Sequence, residues 1–194
     1  MGVIISIKNS FEVEFFFVLD ETWQQIGADG SAATTLHQFD RQHMKYFWSM
    51  PIWQELIQSK TNQTLMILCL AKQGEKVTAL GGDEFVLTIS GQARHLVGFI
   101  LGDINPEEHL FHLFKITTHS NVRRLQIALQ GMQTLERWLK ERGLDKIFLE
   151  VECQNQEAQA FYASQGYRNL HLSKSFYSDG QNAFIMLKDL TLSK

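Results

Sequence analysis

Hydrophobic and polar positions alternate through L-E-V-E at 149–152, so Leu149 and Val151 face one way and Glu150 and Glu152 the other. This is the end of a predicted strand, Lys146 to Val151. Asn155 follows where a helix N-cap is wanted, because its side chain can accept from the first-turn N–H groups. Ala158, Phe161 and Tyr162 then fall on one side of a short helix at three- and four-residue spacing. Gly166 turns the chain into a strand over Tyr167–Phe176, and a last strand covers Ala183–Leu187 beyond the turn at Ser178-Asp179-Gly180. Upstream, Leu125, Leu129, Met132 and Leu139 make the apolar stripe of the longest helix, which Arg142-Gly143 closes. Before it, Asp83–Ser90 and His95–Asp103 read as a hairpin about Gly91-Gln92, with Leu110–Thr118 as a third strand after Asn105-Pro106.

The N-terminal half is patterned less regularly. Val3–Ile7 is a predicted strand. Phe11, Phe15, Leu19, Trp23 and Ile26 recur at helical spacing, with Glu12 and Glu14 early where a helix dipole favours anions. A helix is the preferred expectation there, over a strand through F-E-V-E-F-F-F. Gly27–Gly30 end it, a second helix is predicted over Ser31–Met50, and Pro51 suits the first turn of a third, P-I-W-Q-E-L-I-Q-S-K. Thr64–Lys72 fits either a helix or a buried strand. His37, His43, Phe47, Trp48 and Trp53 form the most aromatic stretch, as a core face or as a wall beside a binding cleft. The two histidines are six residues apart, off a common helical face, and no metal-ligand spacing occurs, so no metal is expected.

Composition narrows the class. A chain of 194 residues, 44% hydrophobic, suits a single domain over residues 1–194 with a full core. Its net charge of -3 is not the basic balance of a nucleic-acid binder. Two cysteines, Cys69 and Cys153, make no disulfide framework and point to a reducing, cytoplasmic setting. No run approaches the ~18 apolar residues of a membrane span, and the start lacks the features of a signal peptide. The opening M-G-V-I-I-S fits the N-myristoylation pattern, but a first strand is the reading adopted.

The chemistry lies at the strand-helix corner. Glu150 stands on a strand end and Tyr162 on the helix that follows. A proton acceptor and a proton donor near one cleft are what acyl transfer to an amine requires. The whole corner resembles the GNAT superfamily of acetyl-CoA-dependent N-acetyltransferases, whose members commonly read L-x-V-x-x-x-N-x-x-A-x-x-x-Y-x-x-x-G-[FY]. Leu149, Val151, Asn155, Ala158, Tyr162, Gly166 and Tyr167 keep every spacing. A second resemblance is the coenzyme motif [QR]-x-x-G-x-[GA], here Arg123, Arg124, Leu125, Gln126, Ile127 and Ala128. Helix-start N–H groups and the positive end of a helix dipole suit a pyrophosphate. Gln126 stands where the family has glycine, and Ser120 where many members have proline.

The resemblance runs from about Gly98 to Leu190 and implies an α/β (α+β) fold with a mixed, mostly antiparallel central sheet of six to seven strands and about four helices. It implies that Ile116, Thr117 and Thr118 pair with the pantetheine arm and that Asn155 borders the thiol end of acetyl-CoA. It gives Tyr162 the role of protonating the leaving thiolate and Glu150 that of base, directly or through water, with Glu152 on the same face as the alternative. Glutamate in L-E-V, together with F-Y-S-D-G-Q-N-A-F-I-M, is similar to protein N-terminal acetyltransferases of the ribosomal-protein kind, with Phe176 and Asn182 as departures. The implied partners are acetyl-CoA and an amine, with no nucleic acid and no membrane, and a homodimer is compatible with the resemblance. A small-molecule amine, amino-acid or polyamine acetyltransferase stays open beside the protein-amine reading, as does a non-catalytic acyl-CoA sensor.

Overall fold

The structure, a computed structural model, describes residues 2–6, 12–19, 23, 26, 30–58, 63–72, 84–123 and 125–192. In chain order the elements are β1 (Gly2–Ser6), β2 (Glu12–Val18), α1 (Ser31–His43), α2 (Met50–Gln58), β3 (Thr64–Ala71), β4 (Val86–Ile89) and β5 (Gln92–Asn105). There follow β6 (Leu110–Thr118), a 3-10 turn (Ser120–Val122), α3 (Ile127–Lys140), β7 (Lys146–Glu152), α4 (Gln156–Ser164), β8 (Arg168–Ser173) and β9 (Ala183–Asp189). The strands are ordered β1-β2-β3-β5-β6-β7-β9-β8, with β4 paired to β5. β6 and β7 run parallel, whereas β1 with β2, β2 with β3, β4 with β5, β7 with β9 and β8 with β9 run antiparallel. This is the expected mixed, mostly antiparallel sheet. Among the described residues its nine strands are the seven anticipated plus β2 and β3, the latter from the undecided Thr64–Lys72 segment, with Thr64–Ala71 all buried. No helix among the described residues is long and apolar enough to cross a membrane.

The helix expected from Phe11 to Ile26 is corrected by β2. Val13, Phe15 and Phe17 are buried and alternate with half-buried Glu12, Glu14 and Phe16, the period of a strand. The two carboxylates that suggested a helix start are met instead by cations from β5 and from just beyond the end of β3. Arg94 Nη2 lies 2.6 Å from Glu14 Oε2, and Lys72 pairs with Glu12. Pairing on both edges, with β1 and β3, gives β2 a full set of ladder hydrogen bonds, and that outweighs the helical spacing of its phenylalanines. Asn9, Ser10, Phe11, Gly27, Gly74, Gly81, Gly82 and Arg124 lie outside the described residues. The helix expected over Ser31–Met50 is shorter, since α1 ends at His43; the next expected helix is α2, which begins at Met50 with Pro51 in its first turn as anticipated.

The chain forms two compact units, one of residues 1–101 and 115–135, the other of 102–114 and 136–194. In the first, β3 is buried along its length and α3 comes close to the sheet at Gly131, where a Cβ would meet Ile100 Cδ1 at 2.8 Å and Phe15 Cε1 at 3.2 Å. In the second, Leu149 and Val151 of β7 and Met186 of β9 are buried on one face, with α4 following β7 and β8 as the last strand of the order.

Candidate active site

In the second unit the register Leu110↔Lys146 to Leu113↔Leu149 sets β6 beside β7. His112 stands opposite Phe148, and Glu150 lies one same-face step further along β7. His112 Nε2 is 2.9 Å from Glu150 Oε2. The imidazole stacks on Phe148 at 3.9 Å and 22° and meets the edge of Phe114 at 4.5 Å. Glu150, the expected base, is thus held by a histidine that sequence reasoning passed over. No motif marks His112, and only the strand register reveals it.

The corner after β7 is tightly tied. Asn155 Oδ1 accepts from Ala158 N at 3.0 Å, so the residue expected beside the thiol end of a coenzyme caps α4. Gln159 Nε2 donates to the carbonyls of Glu152 and Cys153 at 3.1 and 2.9 Å. Cys153 N donates to Asn182 O, and Asn182 Oδ1 accepts from Ser175 N, which joins the corner to the 174–182 hairpin. Tyr162 is buried on α4, and burial pushes its phenol well above the ordinary tyrosine range, with Tyr177 of that hairpin adding to the shift. Tyr167 packs against Tyr162 at 5.4 Å, and its phenol is raised by burial, then by Glu136 and Tyr162. Burial thus favours the neutral form of both phenols.

In the first unit β6 carries Ile116, Thr117 and Thr118 to its end. Gly98 of β5 lets that end approach: a Cβ there would lie 2.6 Å from the Thr117 carbonyl oxygen and 3.2 Å from Thr118 Cγ2. His119 Nδ1 accepts from Asn121 N at 3.2 Å and so caps the 3-10 turn that leads into α3. Arg123, exposed beyond that turn, donates from Nη2 to the His43 carbonyl at 3.5 Å. Leu125 is half-buried, Gln126 is exposed, and Ile127 and Ala128 open α3. Gln126 takes φ of 61°, the left-handed region that favours glycine. The residue type differs from the family pattern here, at a backbone position that glycine would adopt without strain.

A second feature missed from sequence pins the segment between α1 and α2. Asp40, fully buried on α1, accepts from Lys115 Nζ of β6 at 3.1 Å, from Trp48 N at 2.8 Å and from Trp53 Nε1 at 3.3 Å. Lys115 Nζ also donates to the Tyr46 carbonyl at 2.7 Å and sits 5.0 Å over the Trp48 ring. Burial draws the Lys115 ammonium pKa down, against the pull of Asp40 upward. The aromatic stretch therefore divides: Trp53 is core, His37, His43 and Trp48 are half-buried, and Phe47 is exposed.

The family described as acetyltransferase (GNAT) matches residues 36–167. An uncharacterized N-acetyltransferase of Methanocaldococcus jannaschii is 31% identical over 105 residues, 54% of this chain and 64% of that protein. An N-alpha-acetyltransferase of Sulfurisphaera tokodaii is 28% identical over 41% of this chain and 48% of its own length. The aligned regions thus cover under two thirds of both relatives. The ribosomal-protein-S18-alanine N-acetyltransferase of Escherichia coli shares the fold, with a TM-score of 0.63 at 16% identity over 93% of this chain and 96% of that one.

Proposed function

The chain belongs to the acetyltransferase (GNAT) family, and from that premise we propose that it moves an acetyl group from acetyl-CoA to the α-amine of a protein or peptide. The observation that carries this reading is Tyr162, a buried phenol kept neutral by its surroundings, in the same compact unit as a half-buried Glu150. Glu150 takes a proton from the acceptor amine. The amine nitrogen forms its bond to the thioester carbonyl carbon, and a backbone N–H near Thr118 polarises the carbonyl oxygen. As the carbon–sulfur bond breaks, Tyr162 gives its proton to the leaving sulfur. No covalent enzyme intermediate is needed.

For the coenzyme, the backbone of Ile116, Thr117 and Thr118 would pair with the pantetheine arm. Arg123, Arg124 and the chain from Leu125 to Ala128 at the start of α3 would receive the pyrophosphate. Exposed Arg123 and exposed Gln126, which stands just before α3, fit an anion of that kind. Asn155 contributes by fixing the start of α4. The protein-amine assignment is supported by Glu150 in L-E-V, by the ordered hairpin that holds Tyr177 and Asn182, and by the N-alpha-acetyltransferase name of the Sulfurisphaera relative.

Calorimetric titration with acetyl-CoA, followed by thiol release on peptides, amino acids and polyamines, tests the reading. The expected outcome is binding and turnover on free peptide N-termini. Turnover confined to polyamines or amino acids would replace the acceptor class, and failure to bind acetyl-CoA would end the enzyme reading. One observation favours an acyl-CoA sensor as the second reading: the side chain of Gln126 stands on a left-handed backbone at the place of the family's glycine. Binding without turnover across the panel would select it.

A further inference from the structure

Two rows of side chains cross the second unit from β7 through β9 to β8. In one, Glu150 stands opposite Ile185 and Ile185 opposite His171. In the other, Phe148 stands opposite Leu187 and Leu187 opposite Arg168. Residues directly opposite in an antiparallel ladder point to the same face. Arg168 and His171 are three apart, so in a regular strand they would point to opposite faces. The register passes over Leu170 between Asn169 and His171, and this bulge turns both basic side chains onto the face of Glu150. That face is half-open at Phe148, Glu150, Ile185 and Leu187, while Leu149, Val151 and Met186 are buried on the other. The rows thus lead from Glu150 and Phe148, over two aliphatic side chains, to an imidazole and a guanidinium on the last strand of the order. Elsewhere, cations on or beside the sheet meet the chain's own carboxylates: Lys72 with Glu12, Arg94 with Glu14, Lys115 with Asp40 and Lys188 with Glu136. Among the described residues the side chains of Arg168 and His171 have no such partner, and β8 carries no acidic residue.

We propose that Arg168 and His171 determine acceptor specificity by binding a carboxylate of the acceptor, an inference that rests on the reading of Glu150 as the residue that meets the acceptor amine. Neighbouring strands lie about 4.8 Å apart, so the rows span about 10 Å from β7 to β8, or three residues of an extended peptide at about 3.3 Å each. An acceptor whose amine sits at Glu150 therefore brings its second or third side chain to the edge of the sheet. A carboxylate there receives two parallel N–H···O bonds from the planar fork of Arg168, with an N–H of His171 beside it. Ile185 and Leu187 line the path of the intervening chain. The acceptor class is thus an α-amine followed at the second or third residue by Asp or Glu.

The test uses the full chain as wild type, Arg168→Ala, Arg168→Glu and His171→Ala, all changes at exposed positions. Acceptors are matched free-N-terminus peptides with Glu, Gln or Lys at position two or three. Thiol release with acetyl-CoA gives KM and kcat, and calorimetry in the presence of coenzyme A gives peptide affinity. Wild type should favour Glu over Gln by about fivefold, in KM and not in kcat, the size of a well-formed exposed ion pair. The preference should shrink as salt is raised. Arg168→Ala should lose it, His171→Ala should reduce it, and Arg168→Glu should turn it toward the Lys peptide. A wild-type enzyme indifferent to Glu and Gln at both positions, or an Arg168→Glu enzyme that keeps the wild-type order, overturns the proposal. Absence of turnover on every peptide falls instead on the protein-amine reading, and calorimetry then decides the present one. Equal or absent affinity for the Glu and Gln peptides overturns the carboxylate site, whereas a Glu preference abolished by Arg168→Ala supports it.

Discussion

Two basic side chains of β6, His112 and Lys115, each meet a carboxylate, at 2.9 and 3.1 Å, and they are opposites in every other respect. Alternation along the strand turns them to different faces. Lys115 and Asp40 are 3% and 0% exposed, and Asp40 has further donors from Trp48 and Trp53, so that pair is closed on all sides. His112 and Glu150 are half-open, and one carboxylate oxygen is left over. Distance alone does not separate a structural pair from a chemical one. Burial and the number of satisfied lone pairs do: Lys115–Asp40 is closed and holds the segment after α1, while His112–Glu150 keeps the open oxygen that the proposed base role of Glu150 needs.

The sharpest break of this contrast is at Lys115. Lys115→Met leaves Asp40 charged and buried, and about 3–5 kcal/mol of stability should be lost. Thermal melts would read this, and the double variant Asp40→Asn with Lys115→Met should recover a large part of the loss. A Lys115→Met protein with wild-type Tm would mean that the pair is not the structural member. On the other side, Tyr162→Phe should leave the melt nearly unchanged and lower kcat by about 100-fold. Undiminished turnover would remove Tyr162 from the role of acid.

The buried phenols add a pH signature of the second unit. Tyr162 and Tyr167 have pKa values raised by burial above the ~10 of an unfolded tyrosine. Above that value the unfolded chain gives up these protons and the folded one keeps them, so ionisation favours unfolding. The stability they contribute is complete below pH ~10 and is lost as pH rises beyond it toward the folded-state values. Urea melts across the alkaline range should show this, and Tyr162→Phe should flatten the decline. The smallest effect is at Gln126. Gln126→Gly relieves a left-handed side-chain residue and should gain roughly 0.5–1 kcal/mol after the added chain entropy of glycine. Calorimetry with acetyl-CoA should give equal or tighter binding; weaker binding would mean that the glutamine side chain itself contacts the coenzyme.

The C-terminal half was legible because its signals are local. Asn155 as a cap, the turns at Gly143 and Gly166, and the alternation of β6 and β7 each depend on neighbours in the chain. β2 was misread for the opposite reason. Its helical spacing and its strand alternation coexist, and the deciding partners, Lys72 and Arg94, are 60 and 80 residues away. His112 and Asp40 were silent on the same ground. His112 gains a meaning only when register sets it against Phe148, and Asp40 only when Lys115 arrives from 75 residues on. Residue type announces local chemistry, whereas pairing across the sheet announces itself only in the fold.

The glycines of β5 set a limit on what this protein can become. At Gly98 a Cβ would strike the Thr117 carbonyl, and at Gly102 one would run into the His112 carbonyl and the Phe111 ring. Both sites therefore exclude alanine, the smallest replacement available, and the excluded atoms belong to the strand that bears His112 and Thr117. By contrast, Arg168 to Leu172 of β8 are all exposed and accept change in side-chain volume. In a library of random variants, lineages should drift along β8 and stay frozen at positions 98 and 102, so β5 is where this chain's evolvability is narrowest.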